Sequence, residues 1–189
     1  MGAPLVGNVS TGKPSVNGGI WIADAGTTPP NDATTALGAD YTALGYVSEN
    51  GLTNSNSPES DTGKAWGGDI VITYQTEKPD TFSFTLIGAK DVDVLEAVYG
   101  SANVSGSLST GITINANSDE AEEHVWVFEM VMRDNTYKRI AVPAGKVTEV
   151  GDITYTDDSI VGYELTIQAF PDSSGNTHYE YIVEASASA

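Results

Sequence analysis

The segment from Trp66 to Gly100, WGGDIVITYQTEKPDTFSFTLIGAKDVDVLEAVYG, constrains the fold more than any other part of the chain. Between Asp69 and Glu77, Ile70, Ile72 and Tyr74 alternate with Val71, Thr73 and Gln75. From Thr81 to Ile87, Phe82, Phe84 and Leu86 alternate with Thr81, Ser83 and Thr85. This period of two predicts a pair of half-buried strands. Glu77-Lys78-Pro79-Asp80 carries turn chemistry, since Pro79 fixes φ and Asp80 accepts tight turns, so the two strands are expected to form a short hairpin. Asp91 as N-cap, Asp93 in the first turn and Gly100 as the stop then bound one helix over 91–99, with Val94, Leu95 and Val98 as its apolar stripe. The segment specifies packing without any chemical apparatus.

The remaining patterns are mostly β. Residues 1–19, rich in Gly, Ser, Asn and Pro, read as a flexible N-terminal arm. Ile20–Ala23 is a short apolar strand, 24–40 a turn-rich loop around Pro29-Pro30, and Tyr41–Val47 a further strand. Residues 48–64 (SENGLTNSNSPESDTGK) read as a long polar loop with a short strand at Leu52–Asn54, a length that points to function or disorder. Beyond the helix, strands are expected at Gly111–Asn117, Tyr137–Val142, Gly145–Val150, Ile160–Phe170 and Tyr179–Glu184, with Pro143-Ala144 as a break. His124–Arg133 is apolar on both faces and belongs in the centre of a sheet. Residues 185–189 form a small-residue tail. The expected architecture is a single mainly β domain over 20–184, a β-sandwich or partly closed barrel with one flanking α-helix.

Composition narrows function by exclusion. No stretch approaches the about 18 apolar residues of a membrane helix, and the mean hydropathy is -0.17, so no membrane partner is expected. The N-terminus has neither a basic region nor an apolar core of a secretory signal, which suggests synthesis for a cytoplasm. Zero cysteines remove disulfides, thiolate nucleophiles and Cys-based zinc sites. A net charge of -18 argues against wrapping nucleic acid. The two histidines, His124 and His178, have no nucleophile-elbow motif to serve and read as strand-edge surface residues. Asp119, Glu120, Glu122 and Glu123 form one acidic cluster, and Asp152, Asp157 and Asp158 another; neither follows a calcium-loop pattern, so both read as solvated loops. No enzyme activity, cofactor or metal is expected. Four of the eight basic residues, Arg133, Lys138, Arg139 and Lys146, fall on neighbouring predicted strands. They read either as ordinary surface pairs or as a strip that meets the acidic loop Asp119–Glu123 of another copy and sets its register.

Four ordered blocks carry a family resemblance: GYVSENGLTNSNSPES at 45–60, AWGGDIVITYQTEKPDTFSFTLIGAKDVDVLEAVYG at 65–100, VFEMVMRDNTYKRIAVPAGKV at 127–147 and VGYELTIQAFPDSSGN at 161–176. In this order they resemble the major tail tube protein of long-tailed, siphovirus-type bacteriophages. The resemblance implies a structural virion protein: a β-sandwich with a flanking helix, six copies closing into a ring, and rings stacked into the tail tube that delivers DNA. It implies assembly in the bacterial host cytoplasm and residence in the virion tail. The implied partners are other copies of the chain, a tape measure protein, a tail terminator and tail-tip proteins, with phage DNA passing through unbound. On this reading Ser48, Glu49, Asn54, Asn56, Glu59, Asp61 and Lys64 belong to an inter-ring loop. Thr73, Gln75 and Glu77, with Glu164, Thr166 and Gln168, are the candidate bore-facing residues, where an acidic or neutral-polar wall repels the DNA backbone. Two other classes fit the composition: a non-phage β-sandwich binding or adhesion module, and the tube protein of a contractile injection system.

Overall fold

A computed structural model describes residues 6–15 and 18–184. Residues 1–5 of the expected arm and the tail 185–189 lie outside the described residues. The strands are β1 (Lys13–Pro14), β2 (Ile20–Asp24), β3 (Thr42–Ala43), β4 (Val47–Asn56), β5 (Glu59–Lys64), β6 (Ile70–Glu77) and β7 (Asp80–Leu86). Helix α1 (Val92–Tyr99) follows, then β8 (Val104–Ser107), β9 (Gly111–Ile114), β10 (Glu123–Val131), β11 (Thr136–Val150), β12 (Tyr163–Ala169) and β13 (Tyr179–Glu184). The chain is mainly β with one α-helix among the described residues, as its patterning predicts. The main sheet runs β3-β2-β10-β11-β12-β7-β4, with β1 also on β10 and β13 also on β11.

Strand β11 is the spine. One edge pairs with β10 as far as Lys146. The other pairs with β13 over Thr136–Ala141 and with β12 over Gly145–Val150. The break expected at Pro143-Ala144 is therefore a change of partner inside one strand. Pro143 has no N–H to give the ladder, and the β10 register slips between His124 and Trp126 at the same level. The sheet folds over along this line, so Phe82, Phe84, Leu86, Leu165 and Ile167 pack with Trp126, Phe128, Ile140 and Val142 in one core. Phe82 stacks on Phe128 with ring centroids 5.2 Å apart, and Phe84 lies 5.8 Å from Trp126. Each such side chain contributes about 1.5–3 kcal/mol by leaving water. The end strands β3 and β4 do not pair, so the sheet does not close into a barrel.

Strand β10 is buried on both faces, as expected of an unbroken apolar run: Val125 and Val127 face away from Trp126 and Phe128, and all four are buried. Arg139 lies on the Val127 side and reaches the carbonyls of Asp32 (2.8 Å) and Thr35 (2.8 Å), which ties segment 25–40 over that face. Helix α1 forms where its caps place it. The Asp91 carboxylate accepts from the Asp93 N–H at 3.2 Å, Gly100 ends the helix at φ 89°, and Val94 and Leu95 enter the core.

The expected hairpin is different. Asp80–Leu86 pairs with β4 and β12, whereas Ile70–Glu77 pairs with Glu59–Lys64 in a separate two-stranded sheet. Residues 48–64, expected as a loop, are largely strand. Asn56 faces Asp80 and Glu59 faces Glu77, so 47–64 and 70–86 form one long hairpin, interrupted where Ser57-Pro58 meets Lys78-Pro79. Two prolines without N–H groups end the main-sheet pairing there. The outer half, β5–β6, projects as an arm whose tip is Ala65–Asp69. Tyr41–Val47 shortens to Thr42–Ala43, and Gly111–Ile114 pairs with the unexpected strand β8.

Candidate assembly surface

The arm begins with its backbone. The tip closes through Ala65 N–H to Asp69 O (2.8 Å) and Gly68 N–H to Ala65 O (3.0 Å). Gly67 and Gly68 adopt φ 116° and 99°, conformations that side-chain-bearing residues avoid, and so hold the adjacent Trp66 out in solvent. Ile70, Ile72 and Tyr74 share one face of the arm with Asp61 and Gly63 opposite them. A Cβ on Gly63 would sit 2.6 Å from Ile72 Cγ2, so glycine lets Ile72 lie across the partner strand. In their own chain Ile70, Ile72 and Tyr74 remain 62%, 57% and 48% exposed. The half-buried pattern of β6 is therefore unmet inside one chain.

Of the residues expected in the inter-ring loop, Glu59, Asp61 and Lys64 lie on the arm, whereas Ser48, Glu49, Asn54 and Asn56 lie on β4 in the main sheet. The two candidate bore-facing sets are not brought together. Thr73, Gln75 and Glu77 sit on the arm. Glu164, Thr166 and Gln168 sit on the open face of the folded sheet, opposite Thr85, Ser83 and Thr81 of β7. Ser83 Oγ and Thr166 Oγ1 hydrogen-bond at 2.9 Å, and Thr53 and Ser55 of β4 extend the same row. Lys146 neighbours Gln168 in register and pairs with Glu120, whose carboxyl is held below its ordinary range by that hydrogen bond and the Lys146 charge.

Three of the four cations of the basic strip find partners in their own chain, the arrangement expected of ordinary pairs. Lys146 pairs with Glu120 and Lys138 with Glu180. Arg139 is 3% exposed and donates Nε–H to Glu129 at 2.9 Å. A buried guanidinium holding two loop carbonyls and a carboxylate is not available to another subunit. Arg133, Glu122 and Glu123 are exposed, and Asp119 accepts from Asn117 Nδ2 at 2.5 Å.

Asp80 is the polar residue that stands out in the structure and not in the pattern-based reading. It is 1% exposed at the base of the arm, where its carboxylate accepts from Asn54 Nδ2 (2.8 Å), Thr177 Oγ1 (2.5 Å) and His178 Nδ1 (2.5 Å). Burial pushes its pKa up, but the hydrogen bonds from Thr177, Asn54 and His178 outweigh it and leave the carboxyl below its ordinary value. The alternation signals this position, because Asp80 falls on the same face as Phe82, Phe84 and Leu86. His178, expected on a strand edge at the surface, is half-buried against it. Among the described residues no three His, Asp or Glu side chains are grouped to hold a metal ion, and no helix is long and apolar enough to cross a membrane.

The arrangement thus offers an uncovered apolar arm, a polar sheet face and a charge strip paired internally at three of its four cations, a set suited to packing against other proteins. No curated protein sequence matches the chain. The family model described as phage tail tube protein matches residues 13–189, nearly the whole length and every element described above. The chain belongs to the phage tail tube protein family.

Proposed function

We propose that this chain builds the tube as stacked rings of six copies and that the tube conducts DNA in a flexible, siphovirus-type tail. The family supports a structural role in the virion tail. The observation that carries the finer reading is the arm. Its strand pattern calls for a covered face, and that face is bare in the single chain. A neighbouring ring supplies the cover, so the arm does the work first assigned to a polar loop. The tape measure, terminator and tail-tip proteins bound such a tube at its core and two ends.

The bore wall is assigned to the open face carrying Glu164, Thr166 and Gln168 with Thr81, Ser83 and Thr85. A duplex presents a phosphate every ~1.7 Å of axis, and a basic wall would hold it by counterion release. This face is hydroxyl-rich and acidic, and its one cation, Lys146, is already paired. Repulsion then acts over a screening length of ~8 Å, enough to centre DNA without gripping it.

Electron microscopy of the concentrated protein tests the architecture: hollow rings or tubes are expected, and a discrete monomer with affinity for glycans would overturn the reading in favour of a binding module. Virions carrying Glu164→Lys with Gln168→Lys are expected to assemble normally and eject DNA slowly. Ejection at the normal rate from intact virions would remove these residues from the bore.

A further inference from the structure

The arm needs a receptor, and a second apolar feature of the chain lies in the right place to be one. An open groove of about 730 Å³ is formed by Ile87, Ala89 and Val92 before and at the start of α1, Leu108 in the β8–β9 turn, and Ile160 and Val161 ahead of β12. Leu108 is 68% and Ile160 73% exposed, so two large apolar side chains stand uncovered on its walls. Lys90 sits on its lip, exposed and without an ion-pair partner among the described residues.

Within one chain the arm tip leaves the groove uncovered, since Trp66, Leu108 and Ile160 all stay exposed. Strand β7 starts at the base of the arm with Asp80 and ends at Leu86, next to the groove. At about 3.3 Å per residue, its seven residues put roughly 20 Å between base and groove, and the eight residues of β6 carry the tip roughly 25 Å further out. The tip thus lies beyond one end of β7 in the hairpin, and the groove lies at its other end. Two different complementary patches on one chain make a heterologous, head-to-tail contact, which links copy after copy into a ring or an open stack according to the rotation between them.

We propose that this groove receives the arm tip of a neighbouring copy, with Trp66 seated between Leu108 and Ile160 and Asp69 facing Lys90. The proposal rests on the tube reading above and names the site on the receiving copy. The chemistry is matched on both sides. Trp66 is wholly exposed, the kind of aromatic anchor that dominates an interface when a pocket desolvates it. Asp69, three residues on, brings an acid to the lip where Lys90 stands unpaired. No other basic residue lies on the groove's lining, and its one acid, Asp91, is taken up in capping α1 through the Asp93 N–H.

The absence of cysteine from the native chain makes a direct test available. Two double variants, Asp69→Cys with Lys90→Cys and Ala65→Cys with Leu108→Cys, are assembled, checked for tubes by electron microscopy, and then oxidised. The expected result is a ladder of disulfide-linked oligomers from the double variants. Mixtures of the matching single variants should stop at linked pairs. Tubes that give no ladder with either pair, or that cross-link only tip to tip in the single variants, overturn the groove contact while leaving the tube standing. Absence of tubes from the native chain, assembled alongside, overturns both. Separately, Trp66→Ala and Leu108→Glu should each raise the concentration needed for assembly about 30-fold, the ~2 kcal/mol of an interface hot spot. Unchanged assembly in both would refute the proposal.

Discussion

Replacing Asp80 with asparagine changes one oxygen to an amide nitrogen and removes one charge, so any effect reports on hydrogen bonding more than on shape. Three donors converge on that carboxylate, from Asn54, Thr177 and His178. Hydrogen bonds to an ionised acceptor are worth about 1.5–3 kcal/mol each. Asparagine keeps one carbonyl oxygen but turns an N–H₂ toward donors that now meet a donor; Asn54 alone among them has a second acceptor, the Thr81 carbonyl at 3.1 Å. Losing one such bond and weakening another should cost about 3 kcal/mol, or roughly 6–12 °C in Tm for a chain of this length. The assay is urea unfolding of Asp80→Asn and the native chain at a concentration below assembly, repeated from pH 7 downward. Because the folded-state pKa of Asp80 lies below its ordinary 3.8, its contribution is complete above that value and is lost as pH falls through the folded-state pKa. The gap between the two proteins should therefore be widest at neutral pH and close in acid. A gap under about 1 kcal/mol at pH 7, or one indifferent to pH, would refute the role given to the carboxylate.

Arg139→Met should destabilise by about 3–5 kcal/mol, because Glu129 and the carbonyls of Asp32 and Thr35 lose their buried partner; proteolysis within 25–40 should rise with it. Gly145→Ala places a Cβ 2.7 Å from Trp126 Cδ1, and should cost about 1–3 kcal/mol in urea with a change in the near-ultraviolet signal of Trp126. Ile72→Ser, on the exposed face of the arm, should leave unfolding within about 0.5 kcal/mol of the native chain yet abolish tube formation under the microscope.

Strands that face the core were legible because burial imposes a period on them. β7, β12 and β13 follow their alternation, β10 its unbroken apolar run, and α1 its caps. Strand β5 left no such mark. Glu59–Lys64 reads ESDTGK, with water on most of its surface, and its place is set by backbone pairing to β6. The misassigned hairpin has the same origin. Pro79 and Asp80 have turn chemistry, but pairing of β4 with β7 and β5 with β6 completes both ladders. The cations of the basic strip could be seen in sequence, whereas these partners could not: Glu180 is 42 positions from Lys138, and the Asp32 carbonyl is 107 from Arg139. Separations of that size are decided by how the sheet folds over at β11, which no local pattern records.

The partnership between Asp80 and residues 177–178 has a consequence in time. The ribosome delivers the arm and β7 long before β13, the last strand, and domains tend to form as their sequence emerges. Until Thr177 and His178 appear, the Asp80 carboxylate at the root of the arm lacks two of its three donors. A nascent chain thus carries an arm whose root is held by Asn54 and the β4–β7 ladder alone, and the set of bonds is complete only once residues 177 and 178 are in place. Emergence of residues 177 and 178, rather than of the arm itself, becomes the licence to polymerise.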